Sequence, residues 1–143
     1  MIKSPRMFGV SALVIFSLLL QTSGCASKPE SRLVGKWKAN VQGTLASEQF
    51  KALSAEQQEQ GRRGLEIFSA ATVEFRDDGH FLVEIPGMKE EGDWSISAVN
   101  GDVLTVQSKR SKDGKAKVFP ARVTGNSVAL TLFGDQPVLF DRQ

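Results

Sequence analysis

From residue 32 onward, apolar residues recur at every second position, the spacing of strands with one buried face. In Leu33-Val34-Gly35-Lys36-Trp37-Lys38-Ala39-Asn40-Val41 the odd positions Leu33, Gly35, Trp37, Ala39 and Val41 share a face. The same alternation returns in Val73/Phe75, Phe81/Val83/Ile85, Trp94/Ile96/Ala98, Leu104/Val106, Phe119/Ala121/Val123, Val128/Leu130/Leu132 and Val138/Phe140. Turn residues separate these runs: Asp77-Asp78-Gly79, Pro86-Gly87, Asn100-Gly101, Lys112-Asp113-Gly114, Gly125-Asn126 and Gly134-Asp135. Asn-Gly and Asp-Gly supply the positive φ angles of tight hairpins. Eight candidate strands follow, each with a single apolar face that the sheet itself must cover. The pattern predicts a mainly β fold, an eight-stranded up-and-down antiparallel barrel, since closure buries that face and removes the edges. A two-sheet sandwich is the second arrangement that would do so.

One connection breaks the rule of short turns. Residues 43–70, between the first and second strands, have helix-forming composition. Ser47 is placed to cap a short helix through Leu53, and Ser54 with Gln57 has the spacing of a capping box for a second. Gly61, Leu65 and Phe68 fall on one face of that second helix, with Phe50 and Leu53 available from the first. Gly61 and Gly64 each weaken it by about 1 kcal/mol relative to Ala. The insert is thus expected to be a helix pair, with Phe50, Leu53, Leu65 and Phe68 forming the underside of a lid.

The first 24 residues have a different character. Lys3 and Arg6 precede an apolar segment from Met7 to Leu20, shorter than the roughly 20 apolar residues that span a bilayer. A charged start, a short apolar run and small residues after it describe a signal peptide. Thr22-Ser23-Gly24-Cys25 resembles the lipobox of bacterial lipoproteins, with Thr22 where leucine is usual. The resemblance implies acylation of Cys25 after removal of residues 1–24. Ala26 stands where Asp tends to retain lipoproteins at the inner membrane, which favours an outer-membrane anchor facing the periplasm in a two-membrane cell. Residues 25–31 then read as a tether and 32–143 as one domain.

Charge and cysteine usage fit this division. The chain has 18 Lys and Arg against 16 Asp and Glu. Lys3 and Arg6 fall in the leader, which holds no acidic residue, so the remainder is balanced and implies no general affinity for nucleic acid. Cys25 is the single cysteine, so stability must come from a packed core rather than disulfides.

The segment Leu33-Val34-Gly35-Lys36-Trp37 resembles the Gly-x-Trp signature on the first strand of calycins, the superfamily of lipocalins, fatty-acid-binding proteins and avidins. In those proteins the tryptophan closes one end of the barrel and an arginine near the end of the last strand packs over it. Arg142 stands at the matching place, so the resemblance implies barrel closure by Gly35, Trp37 and Arg142. The helical insert is similar to the helix-turn-helix lid of fatty-acid-binding proteins. Several features depart from the relatives. The chain has no tyrosine, which removes the Thr-Asp-Tyr motif of lipocalins and the Arg-x-Tyr pair that holds a carboxylate in many fatty-acid binders. Eight strands are counted where fatty-acid-binding proteins have ten. A second Gly-x-Trp, Gly92-Asp93-Trp94, lies on the fourth strand.

Candidate chemistry is thin. His80 follows Asp77-Asp78-Gly79, yet a metal site needs three or four converging ligands, and a polar residue leaving a turn is the simpler reading. Glu84, Glu90, Glu91 and Asp93 flank one hairpin, where a solvated surface outweighs acid–base work. Lys109 to Lys117 holds five basic residues against one acidic; it reads as a hairpin tip, with anionic headgroups or an acidic protein as its possible contacts. No enzymatic activity, metal or cofactor is expected. The sequence therefore points to a monomeric, membrane-anchored, lipocalin-like binding module for a small hydrophobic ligand, lined by Phe75, Phe81, Trp94, Phe119 and Phe140. The alternative is an envelope protein-interaction or inhibitor module with a filled barrel.

Overall fold

The computed structural model describes residues 27–132 and 134–143. The leader, the lipobox and Cys25 lie outside the described residues. Eight strands form a closed, all-antiparallel ring in chain order: β1 (Gly35–Ala39), β2 (Thr72–Phe75), β3 (His80–Ile85), β4 (Met88–Asn100), β5 (Val103–Arg110), β6 (Ala116–Thr124), β7 (Ser127–Leu130) and β8 (Val138–Arg142). The barrel, rather than the sandwich, is the way this chain covers its apolar faces. Its seam joins β8 to β1, with Trp37 opposite Arg142 and Ala39 opposite Phe140.

The alternation seen in the sequence is the alternation of burial. On β6, Phe119, Ala121 and Val123 are buried while Val118, Pro120 and Arg122 are exposed. A single hydrophobic cluster lines the ring, including Trp37, Val73, Phe75, Leu104, Val106, Val128, Leu130 and Phe140. No side-chain nitrogen or oxygen is left buried without a hydrogen bond among the described residues, as a native interior requires.

Two boundaries differ from expectation. The first strand is shorter than the alternation from Leu33 to Val41, because both ends are diverted. Residues 29–31, read as tether, belong to a 3-10 turn over Pro29–Arg32, favoured by proline at its start. At the other end Asn40 caps a short helix, α1 (Val41–Ala46), by accepting the Gly43 N–H at 2.6 Å. The insert therefore begins two residues before residue 43 and holds three helices instead of two. Ser47 caps α2 (Glu48–Lys51), and Ser54 with Gln57 forms the reciprocal capping box of α3 (Ala55–Ile67).

The insert is fastened at its root. The Thr44 hydroxyl donates to the Asn40 carbonyl at 2.8 Å and accepts the Leu139 N–H at 2.9 Å. Asn40 also donates to Asp141 at 2.7 Å, whose other oxygen accepts from Ser127 at 2.7 Å. These bonds tie α1 to β7 and β8. Gly61 lets α3 rest on the first two helices, because a Cβ there would meet the Phe50 ring at 2.9 Å.

Candidate functional site

The two ends of the ring must be distinguished before the site can be placed. One end carries the start of β1 and the 3-10 turn, and it is closed. Trp37 is wholly buried, and its indole N–H donates to the Leu33 carbonyl at 2.8 Å. The Arg142 guanidinium lies 4.2 Å from the centre of the Trp37 ring, a cation–π distance. It donates to the carbonyls of Val34 (2.7 Å) and Arg32 (2.9 Å), and Arg32 reaches the Gly101 carbonyl at 2.8 Å. Gly35 makes room for this cover. Its φ is +139°, and a Cβ there would stand 2.6 Å from the guanidinium. Gly35, Trp37 and Arg142 are thus brought together in one stack.

The opposite end is open between the tips of the β3–β4 and β5–β6 hairpins. A cavity of about 440 Å³ enters the ring there. Val73, Phe75, Phe81, Val83 and Phe119 form its walls, with Leu132 beside them. Met88, Glu90, Ser108, Arg110, Lys115 and Lys117 surround its mouth. A volume of this size is within the range of small-molecule sites.

Of the five residues expected to line the interior, Phe75, Phe81 and Phe119 border this cavity and Trp94 and Phe140 do not. Trp94 packs edge-on against Phe75, with ring centres 5.1 Å apart, and donates its indole N–H to the Arg76 carbonyl at 3.0 Å. Two residues earlier, Gly92 lets β4 approach β5 closely, because a Cβ there would collide with the Lys109 carbonyl. Phe140 is wholly buried between Ala39 and Val128 at the seam. The four expected lid residues, Phe50, Leu53, Leu65 and Phe68, do come together, but around a different space. They line a groove of about 340 Å³ between the insert and residues 135–138. It shares no lining residue with the barrel cavity.

The polar mouth comes from residues that the sequence reading assigned to hairpin tips. Arg110 is on the inner face of β5, in step with Leu104 and Val106. It pairs with Glu90 at 3.2 Å and with both oxygens of Asp113, at 2.5 and 3.2 Å. The Glu90 hydrogen bond, with Asp113 beside it, holds the guanidinium above its ordinary pKa. The Lys115 backbone N–H and the Arg110 charge hold the Asp113 carboxyl below the usual carboxylate range. Lys117 is in step with Phe119 on the inner face of β6, and its ammonium donates to the Leu132 carbonyl at 2.5 Å. Strand parity was the signal that would have found these residues, because a charge two positions from a buried residue on one strand shares its face.

The remaining candidates do not converge. Glu90 faces Arg110, whereas Asp93 pairs with the exposed His80 at 2.8 Å. Glu84 stands opposite Lys89 in the ladder. Among the described residues no three His, Cys, Asp or Glu side chains are gathered as metal ligands would be. No described helix is long and apolar enough to cross a membrane.

No family model matches the chain, and neither does any curated protein sequence. The chain is similar to the crystal structure of a DUF4847 family protein from Bacteroides vulgatus ATCC 8482, with 19% sequence identity and a TM-score of 0.46 over 76% of this chain and 92% of that one.

Proposed function

We propose that this protein is a membrane-anchored, lipocalin-like lipoprotein of the cell envelope that binds a small hydrophobic molecule and performs no chemistry on it. The observation that carries this reading is the cavity of about 440 Å³ inside the ring, walled by Phe75, Phe81, Phe119, Val73 and Val83. A barrel of eight strands has room for side chains or for one small ligand, and here the space at one end is not taken up by side chains. The lipobox around Cys25 supports attachment to a membrane, with the outer membrane facing the periplasm as the favoured location. Pro29, four residues after Cys25, begins the turn at the closed end of the ring. Four residues reach at most about 14 Å, so an acyl anchor at Cys25 would hold the closed end toward the bilayer and turn the mouth away from it.

Extraction of the native protein followed by mass spectrometry tests the ligand. A co-purifying apolar molecule is expected, and recovery of none, with no thermal shift against fatty acids and isoprenoids, would overturn the reading. Cys25→Ala is expected to release the protein from the membrane fraction; full retention would count against the anchor.

A second reading, a module for binding an envelope protein, draws on the insert. The groove lined by Phe50, Leu53, Leu65 and Phe68 opens beside α3, whose Ile67 is 63% exposed. In that case, changes at Ile67 should abolish capture of a partner while leaving ligand content untouched.

A further inference from the structure

Resting on the ligand reading above, we infer that the barrel selects a single-chain amphiphile with an anionic head, its tail among Phe75, Phe81 and Phe119 and its head against the ammonium of Lys117. The mouth carries a charge that the protein itself leaves uncompensated. Three charged side chains from the strands face inward at the mouth: Glu90, Arg110 and Lys117. Glu90 and Arg110 satisfy each other, and Asp113 completes the Arg110 guanidinium from the hairpin tip. Lys117 has no ion-pair partner among the described residues; its one hydrogen bond goes to the neutral Leu132 carbonyl. Lys115 adds a second cation without an ion pair at the same rim.

Leu132 itself lines the cavity, so the bond from Lys117 holds the lysine stem along the rim, between β6 and the segment that follows the adjacent strand β7. An ammonium has three donors, and the Leu132 carbonyl takes one. Ser108, directly opposite Lys117 in the β5–β6 ladder, brings a hydroxyl to the same rim. A carboxylate or phosphate arriving with its chain in the apolar walls would meet two free ammonium donors at the edge of a low-dielectric space, where a charge-assisted hydrogen bond is strongest. A neutral alcohol would leave the charge as it is. An alkylammonium would be repelled. Deeper in the ring no polar side chain lines the cavity, which fixes the direction of entry as tail first.

The test uses the full chain held in solution by a non-ionic amphipathic polymer. Decanoate, decyl phosphate, decanol and decylammonium are compared by equilibrium dialysis at low salt, with the polymer alone as blank. Decanoate and decyl phosphate are expected to bind at least about tenfold more tightly than decanol, and the preference is expected to shrink as salt screens the pair. Their order relative to each other tells a carboxylate head from a phosphate one. Lys117→Met should bring both anions down to the affinity of decanol and leave decanol unchanged. Lys109→Met, an outward neighbour on the same hairpin, should alter none of the four. Equal binding of decanoate and decanol would leave the ligand reading standing and overturn the head-group inference. So would equal losses from the two lysine variants, which would mean a diffuse field instead of a contact. Failure of all four compounds to bind would overturn the inference, and the ligand reading falls with it only if the native protein also carries no apolar molecule.

Discussion

At the closed end and along the β8–β1 seam, Trp37, Phe140 and Val128 are each wholly buried, and the Arg142 guanidinium covers Trp37 with two carbonyl bonds. At the mouth, the inward positions Glu90, Ser108, Arg110 and Lys117 are polar, and the space behind them is hollow. Both ends obey the same period-two alternation on the same eight strands. They differ in what the inward residues are. Large rings and branched side chains meeting from neighbouring strands fill the ring. Charged side chains at the ends of β4, β5 and β6 stay at the rim and leave room behind them, since burying an unpaired charge is costly. The position of polar residues along the strands, more than strand number, decides which end of this barrel is solid.

The largest test of that contrast compares two phenylalanines. Phe140→Ala empties a packed site and should cost about 3–5 kcal/mol in urea-induced unfolding. Phe119→Ala borders existing space, so its further cavity cost should be smaller, about 2 kcal/mol, and it should change ligand content. Equal losses would mean that the mouth is packed as tightly as the seam. Next, Arg142→Gln should lower stability by about 1–2 kcal/mol through loss of the stacked charge and its carbonyl bonds, while leaving binding at the far cavity unchanged. Altered binding would show that the two ends are coupled.

The smallest effect concerns pH and belongs to the mouth alone. The Asp113 carboxyl titrates below the ordinary range in the folded protein. Its contribution is therefore complete above the unfolded value, near pH 4, and disappears as pH falls through the lower folded value. In an NMR titration into acid, the amides of Lys115 and the Arg110 side chain should shift before those around Trp37. Simultaneous movement of both groups would mean that the Arg110–Asp113 clasp is not the separate acid-sensitive element that these bonds describe.

Much of this architecture could be read from residue order. The capping box of Ser54 and Gln57 and the strand faces depend on spacing, whereas the stacking of Arg142 on Trp37 follows only from the resemblance to calycins. The cavity lining was only partly legible. Alternation assigns Trp94 and Phe140 to the inner face correctly, but says nothing of their height along the barrel axis. Nor does alternation say where a strand sits in the ring: Phe140 is on β8, opposite Ala39 and Val128, with three strands between β8 and β4. The mouth was missed because Lys109 to Lys117 is dense in charge, and composition hid parity. Lys109 and Lys117 look alike in the sequence and project to opposite faces. Helix α1 was missed because Val41 continues the apolar alternation, whereas the strand ends at Ala39, two residues earlier, and Asn40 caps the helix.

The seam between β1 and β8 also bears on how the ring assembles. The bond from Arg142 to the Val34 carbonyl joins residues 108 positions apart, while every other neighbouring pair of strands except β1 and β2 is linked by seven residues or fewer. Hairpins from β2 to β8 can form locally, but closure must wait for the most distant pairing and the entropy loss it entails. Until then β1 and β8 are bare edges able to pair with another chain. Weakening the Arg142 clasp should therefore prolong the open, aggregation-prone stage, so that crowded refolding suffers more than the stability of the finished barrel.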